Sequence, residues 1–129
     1  MFKIISMVAL GGCFGATLRF AVSEGVQKLS GANFPYGILI ANLIGCFLIG
    51  LLSRVAETHE CFNPATRALI FTGFLGAFTT FSTFSNDSLG LFQADRSMSA
   101  FINIGVHVIA GLALVWLGQT SAALFERAG

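Results

Sequence analysis

Residues 73–85, which read GFLGAFTTFSTFS, decide how the fold of this chain is interpreted. Two glycines, Gly73 and Gly76, precede five hydroxyl residues and several phenylalanines within a long apolar run. Glycine and β-branched threonine weaken a helix, and Ser and Thr side chains can satisfy backbone groups that a break releases. The segment therefore predicts a membrane helix that is broken near mid-membrane. The alternative is a kinked helix that binds no ligand.

The composition around this segment is that of a membrane protein. Of 129 residues, 55% are apolar and 10% are charged, with 7 Lys and Arg against 6 Asp and Glu. Soluble domains carry about 25% charged residues, and the mean hydropathy of this chain is +0.82. So few charges exclude a disordered chain and a basic nucleic-acid-binding protein, and they disfavour a soluble enzyme. We predict a small, multi-pass, all-α membrane protein.

The charges also divide the chain into spans. Uncharged runs of 15, 25 and 19 residues follow Lys3, Lys28 and Arg67, and a fourth long run follows Arg96. About 20 apolar residues cross the hydrocarbon layer as a helix, and Arg19 can snorkel from the end of the shorter first run. We predict a single four-helix transmembrane domain that covers the whole chain, residues 1–129. Its helices are expected at about 3–28, 35–55, 65–90 and 98–124.

Two further features concern the N-terminus and the cysteines. Residues 10–13, Leu-Gly-Gly-Cys, loosely resemble a lipoprotein cleavage site. However, the apolar run continues through residues 14–18, where a mature lipoprotein would turn polar. The cysteines Cys13, Cys46 and Cys61 share no spacing typical of a metal site. We interpret them as small apolar side chains.

The charges give the four helices almost no preferred orientation. One side of the membrane would carry Lys3, Arg54, Arg67 and Arg127, and the other Arg19, Lys28 and Arg96. Such a balance does not set a topology by the positive-inside rule. It permits insertion in both directions, and hence an antiparallel homodimer with a two-fold axis in the membrane plane. The alternative is that so few charges fail to report a real preference.

Small residues and one carboxamide mark the first two helices. Spacings of four residues relate Gly11, Gly15 and Arg19 on the first helix, and Gly37, Ala41 and Gly45 on the second. Such stripes are typical of close helix packing in lipid. Asn42 lies within the second helix, where its carboxamide needs a partner inside the protein or in water. An interhelical hydrogen bond and an N–H donor to a passing anion are both consistent with this position.

The phenylalanines of the third helix suggest two roles. Phe71, Phe74, Phe78 and Phe81 form a stripe typical of packing, whereas Phe81 and Phe84 are flanked by hydroxyl residues. The edge of an aromatic ring is positive, so ring edges along a narrow path would favour an anion without trapping it. Carbonyl oxygens released by a helix break would instead suit a hard cation such as sodium.

Together these motifs resemble the Fluc (CrcB) fluoride channel family. The matching residues run in order through three helices: GGxxGAxxRF at 11–20, GxxxxNxxG at 37–45 and GFxGxxTTFSTF at 73–84. The third motif is the most specific. Asn103 and His107 on the fourth helix, four residues apart, are a weaker match.

Membership of this family would imply a fluoride-selective channel in the bacterial inner membrane. Such a channel exports fluoride passively and makes the cell resistant to fluoride toxicity. The resemblance also implies an antiparallel, dual-topology homodimer in lipid, with two pores. A central structural sodium ion would be held by backbone carbonyl groups of the broken third helices.

The resemblance also implies roles for individual residues. The carbonyl oxygens of Gly76 and Thr79 would bind the sodium ion, and Arg19 would draw anions to the vestibule. The residues implied to line the fluoride path are Asn42, Phe81, Phe84, Ser82, Thr83 and His107. The alternative role for His107 is that of a neutral histidine hydrogen-bonded between helices. Ile38 stands where the family has a threonine, so the polar track beside the phenylalanines differs in this chain.

Other functions fit the sequence less well. A proton-coupled small-multidrug exporter of cationic compounds shares the four-helix, dual-topology design, but it needs a carboxylate inside the first helix. This chain carries Arg19 there, and Glu24 only near the helix end. A purely scaffolding subunit would leave Asn42 and residues 79–85 without a role. No nucleophile–base pair in the sequence indicates an enzyme. We expect a channel, not an enzyme, whose partners are fluoride, lipid and a second copy of itself rather than nucleic acid.

Overall fold

The computed structural model of the chain describes residues 1–58 and 62–128, which form four long helical spans joined by short loops. The spans are α1 (Phe2–Ser30), α2 (Tyr36–Thr58), a composite third span (Pro64–Gln93) and α6 (Ser97–Ala128). All four are long and apolar enough to cross a membrane. The prediction of a four-span, all-helical membrane protein is therefore confirmed at this level.

Capping residues explain where two of the spans begin and end. Gly31, with φ 59°, follows α1 in the left-handed conformation that often ends a helix. Asn63 caps the third span, because its side chain accepts hydrogen bonds from the N–H groups of Ala65 and Thr66. The structure therefore extends α1 two residues beyond the sequence prediction, to Ser30.

The linker expected around residues 57–60 begins later in the structure. Glu57 and Thr58 belong to α2, which continues the helix past the predicted end at residue 55. His59, Glu60 and Cys61 lie outside the described residues.

The third span consists of four helical parts. These are α3 (Pro64–Arg67), a π-helix (Ala68–Leu75), α4 (Gly76–Phe78) and α5 (Phe81–Gln93). Between α4 and α5 the backbone is extended, with φ −93° and ψ 157° at Thr79, and φ −151° and ψ 115° at Thr80. The span as a whole bends by only 14°. The expected broken helix is therefore not confirmed. Thr79 and Thr80 are not helical, but the span continues beyond them in nearly the same direction.

Small residues bring α1 into close contact with the third span. Gly11 and Gly15 are both buried, and a Cβ at either position would overlap a backbone carbonyl oxygen of the π-helix. One turn further along the same face, Arg19 Nη1 donates to the Thr79 carbonyl oxygen at 3.4 Å. The predicted stripe thus packs α1 against the third span and ends at the two extended residues.

The second stripe packs α2 against α1, at Ser23, and against the third span, at Thr79. Gly37, Ala41 and Gly45 are all buried. A Cβ at Gly45 would overlap the Thr79 methyl group, so glycine is needed for this close approach. Because Asn42 directly follows Ala41 in α2, this packing brings the Asn42 carboxamide to the extended residues.

Candidate functional site at the helix interruption

The side chain of Asn42 holds the extended backbone of Thr80. Asn42 Oδ1 accepts a hydrogen bond from the Thr80 N–H at 2.8 Å, and Asn42 Nδ2 donates to the Thr80 carbonyl at 3.1 Å. An extended residue presents both backbone groups to one partner, as in an antiparallel β-ladder. Asn42 therefore replaces the helical hydrogen bonds of Thr80. Of the two roles that the sequence allowed for Asn42, the interhelical hydrogen bond is observed.

The last helix contributes His107 to the same cluster. Asn42 Nδ2 lies 3.2 Å from His107 Nε2, and His107 Nδ1 lies 2.9 Å from the carbonyl oxygen of Asn103. An amide nitrogen can only donate and a carbonyl oxygen can only accept. Both contacts are therefore hydrogen bonds only if His107 is neutral and carries its proton on Nδ1. His107, which lies on α6, is thus a hydrogen-bonded histidine that links α6 to Asn42 of α2.

A second buried carboxamide extends this network. Asn103 is fully buried, and its Nδ2 donates to Ser88 Oγ at 3.0 Å. Ser88 in turn donates to the Phe84 carbonyl at 2.8 Å. Asn103 Oδ1 is buried and has no hydrogen-bond partner within the part of the chain that the structure describes. The sequence pattern alone does not mark Ser88 as a site residue, although its position four residues after Phe84 places the two on one helix face.

The two phenylalanines expected on the fluoride path differ in their surroundings. Phe84 is buried, and its ring centroid lies 4.3 Å from that of His107. The Phe81 ring lies 5.5 Å from the Phe84 ring, tilted by 55°, but 78% of Phe81 is exposed in the single chain. Phe74 and Phe78 stack on each other with centroids 5.9 Å apart. The phenylalanine stripe of the third span thus includes the packed pair Phe74 and Phe78, whereas the Phe81 side chain lies on the exposed surface of the single chain.

Three hydroxyl groups surround the start of α5. Thr80 Oγ1 accepts a hydrogen bond from the Thr83 N–H at 3.3 Å and so caps the helix. The same oxygen lies 3.0 Å from Thr83 Oγ1 and 3.2 Å from Ser82 Oγ. Hydroxyl hydrogens can rotate toward different acceptors, so this cluster can donate to an anion that lies beside it.

Members of the hydroxyl cluster belong to the linings of two cavities. The central cavity, of about 380 Å³, is lined by residues that include Asn42, Thr80, Phe84 and His107. The mouth cavity, of about 670 Å³, is lined by residues that include Ile38, Thr83, Glu24, Asp87 and Arg96. Thr80 thus belongs to one cavity and Thr83 to the other, and their hydroxyl oxygens are 3.0 Å apart. The linings of the two cavities are therefore linked by one pair of hydroxyl groups.

The electrostatics of the central cavity suit a weakly bound anion. None of the described residues that line it is Asp, Glu, Lys or Arg. The 13-residue helix α5 begins beside it at Phe81, and the N-terminal end of a helix carries a partial positive charge. The part of the cavity beside the start of α5 thus offers positive potential without a charged side chain that would trap the ion.

The carbonyl groups of Gly76 and Thr79 have lost their helical partners. In a continuous helix they would accept from the N–H groups four residues later, those of Thr80 and Thr83. These N–H groups donate instead to Asn42 Oδ1 and Thr80 Oγ1. Gly76 and Thr79 also line the central cavity. Since hard cations prefer oxygen ligands, the two carbonyl groups have the chemistry of the sodium ligands that the family resemblance implies, and the sodium site stays a prediction.

Arg19 lies away from the mouth cavity. It is half-buried, with its guanidinium group at the Thr79 carbonyl oxygen. The described lining of the mouth cavity includes Arg96 but not Arg19. A vestibule role for Arg19 therefore stays a prediction.

Comparisons with known proteins agree on one family. The family described as "CrcB-like protein, Camphor Resistance (CrcB)" matches residues 6–119. A protein of Shewanella woodyi named "Fluoride-specific ion channel FluC" is 43% identical over 115 residues, which cover 89% of this chain and 92% of that protein. Proteins of the same name from Pseudoalteromonas translucida and Dehalococcoides mccartyi are 45% and 38% identical. Their alignments cover 87% and 95% of this chain, and 93% and 95% of those proteins.

Proposed function

The chain belongs to the CrcB-like family, and from this membership we propose that it is a fluoride-selective channel that conducts the ion passively across a membrane. Passive export would lower the fluoride concentration in the cell and so protect it from fluoride toxicity. Because the relatives are ion channels by name, the expectation that this chain is not an enzyme is confirmed.

One observation carries the proposal: in the middle of a membrane span, a lining residue of one cavity and a lining residue of the other place their hydroxyl groups within hydrogen-bond distance. Fluoride would pass from the mouth cavity to the central cavity along Thr83 and Thr80, whose hydroxyl oxygens are 3.0 Å apart. Ser82 Oγ lies 3.2 Å from Thr80 Oγ1 and adds a third donor. Beyond them the path would run between Asn42, His107 and Phe84.

The chemistry of these groups explains how a small, strongly hydrated anion could cross. Fluoride must exchange its water shell for donors placed at close range. Hydroxyl groups, the N-terminal end of α5 and the positive edges of Phe81 and Phe84 supply such contacts without a full charge. Each contact is weak alone, so the ion is stabilised on the path and can still leave it.

A second copy of the chain is needed to cover the interruption. Gly76 is exposed although its carbonyl has lost its helical partner, and Phe81 beside it is 78% exposed. Irregular backbone at membrane depth is not tolerated against lipid. The balanced charges of the sequence favour an antiparallel, dual-topology homodimer. Each copy would carry its own set of path residues, which gives two pores.

The dimer would also complete a structural sodium site. The carbonyl oxygens of Gly76 and Thr79 would hold the ion, and a single chain offers few ligands, so the partner's equivalents are required. Bound sodium would neutralise the carbonyl dipoles that meet at this point. Arg19 also donates to the Thr79 carbonyl at 3.4 Å, and a carbonyl oxygen has two lone pairs.

The location proposed for the channel is the bacterial inner membrane.

The runner-up function, proton-coupled export of cationic compounds, needs a carboxylate inside the first span. Glu24 lies near the end of α1, where it pairs with Lys28 at 3.6 Å on the exposed surface. That pairing gives Glu24 a local partner and supports the channel over the exporter.

Growth of fluoride-sensitive bacteria tests the proposal. Cells that lack their own fluoride export should grow in toxic fluoride when they express this chain, and cells with an empty vector should not. The same chain should give no protection against toxic cationic dyes. Protection against the dyes but not against fluoride would replace the channel with the exporter.

A further inference from the structure

The carboxamide of Asn42 has no free N–H group in this structure. Its Nδ2 carries two hydrogens, and Nδ2 has two acceptors: the Thr80 carbonyl at 3.1 Å and His107 Nε2 at 3.2 Å. An anion that is to accept a hydrogen bond from Asn42 must therefore displace one of them. Asn42 therefore cannot donate to fluoride until one of its two present acceptors leaves.

The two acceptors differ in how easily they can be displaced. The Thr80 carbonyl is a backbone group whose N–H is held by the same carboxamide at 2.8 Å, so its release would leave extended backbone unsatisfied within the membrane span. His107 is a side chain with a second anchor, since Nδ1 donates to the Asn103 carbonyl at 2.9 Å. Loss of the Asn42 contact leaves His107 held by Asn103 and in contact with the Phe84 ring, which is tilted by 40° to it.

We propose that His107 is a positioning residue. Its Nε2 accepts a hydrogen bond from the Asn42 N–H in the absence of fluoride, and fluoride displaces Nε2 as the acceptor when it binds. The proposal rests on the proposed channel function and concerns how the same site sets its affinity. Fluoride would gain the Asn42 donor at the cost of an existing hydrogen bond, so its net stabilisation at this point is small. Small net binding is what a conducting site requires.

Two substitutions separate this role from a structural one. His107→Phe keeps a ring against Phe84 and removes the acceptor Nε2. Fluoride would then no longer compete with another acceptor for this Asn42 N–H group. The fluoride concentration for half-maximal flux should fall about threefold, the factor that one average hydrogen bond in a membrane supplies. Maximal flux per folded channel should fall as well, because release is slower. His107→Gln restores an acceptor and should return both quantities toward wild type.

The outcomes distinguish this inference from the proposed function. If wild-type protein in liposomes conducts no fluoride, the channel itself is disproved. If the wild type conducts but folded His107→Phe channels have the same fluoride concentration for half-maximal flux, only the role of His107 is overturned. A purely structural histidine would give that second result, with fewer folded channels.

A measurement on the wild-type protein covers the case in which His107→Phe does not fold. Imidazole nitrogen resonances of the protein in lipid bilayers, labelled with nitrogen-15, report whether Nε2 accepts a hydrogen bond. Saturating fluoride should shift the Nε2 resonance of His107, and chloride should not; the Gln variant assigns the signal against that of His59. An Nε2 resonance that is unchanged in fluoride would contradict displacement.

Discussion

Replacement of Asn42 by alanine removes the contacts that hold the extended backbone of the third span. The side chain makes three hydrogen bonds, two to the backbone of Thr80 and one to His107. Hydrogen bonds between membrane helices contribute about 0.6 kcal/mol each on average, so Asn42→Ala should lower the free energy of unfolding by about 2 kcal/mol. Fluoride flux per folded channel should fall about tenfold or more, a loss that needs only ~1.4 kcal/mol at the barrier.

Asn103→Ala is the matched control, because it removes the same atoms from a side chain that is also buried. Asn103 makes one side-chain hydrogen bond, to Ser88, and its Oδ1 has no partner in the described structure. Its loss should cost about 0.6 kcal/mol. Both variants can be compared by denaturant titration in detergent and by fluoride efflux from liposomes with matched amounts of folded protein.

The reasoning would be refuted by equal stability of the two variants together with undiminished flux in Asn42→Ala. That result would mean that water or a repacked side chain satisfies Thr80 as well as Asn42 does. A destabilised Asn42→Ala variant with normal flux per folded channel would leave Asn42 structural and remove it from the path.

Three further substitutions test the packing and the path. Phe84→Ile should reduce fluoride flux while the protein stays folded, since hydrophobic swaps of similar volume cost below about 1.5 kcal/mol; Phe74→Ile, in the stacked pair, is the control, and equal flux in the two would exclude a role for the ring edge. Gly15→Ala should destabilise by about 1–3 kcal/mol, because the new methyl group overlaps backbone. Gly12→Ala, which meets nothing within 4 Å, should be neutral or slightly stabilising in the same unfolding assay. Thr80→Val removes both the cap of α5 and the hydroxyl that contacts Thr83, so it should lower stability by about 1 kcal/mol and also reduce flux. Normal flux would remove this hydroxyl from the path.

The parts of the fold that depend on hydrophobicity and residue size could be predicted from the sequence. The four spans follow from the positions of the charges, because a charged side chain within lipid is costly. The close contact of Gly11 and Gly15 with the third span follows from their spacing of four residues. The end of α1 and the start of the third span differ from the prediction by two residues and one residue, because the capping residues Gly31 and Asn63 set these ends.

The arrangement of the polar groups could be predicted only in part. Glycines and threonines indicated where helical geometry fails, but not that the span would continue with a bend of only 14°. The direction of the span depends on packing of its first half against α1 and of α5 against α6, and such packing is not a local property. The sequence left Asn42 between two roles, because only the structure shows that Thr80 is extended and presents both backbone groups to it. Ser88 was missed because its partner Asn103 lies on another helix.

The central claim, that the chain is a passive channel selective for fluoride, is tested most directly by ion efflux from liposomes that contain the purified protein. Vesicles loaded with equal concentrations of fluoride and chloride, without a proton gradient, should release fluoride rapidly and chloride barely above the level of protein-free vesicles. Equal release of both anions, or release of fluoride only when a proton gradient is imposed, would contradict the claim.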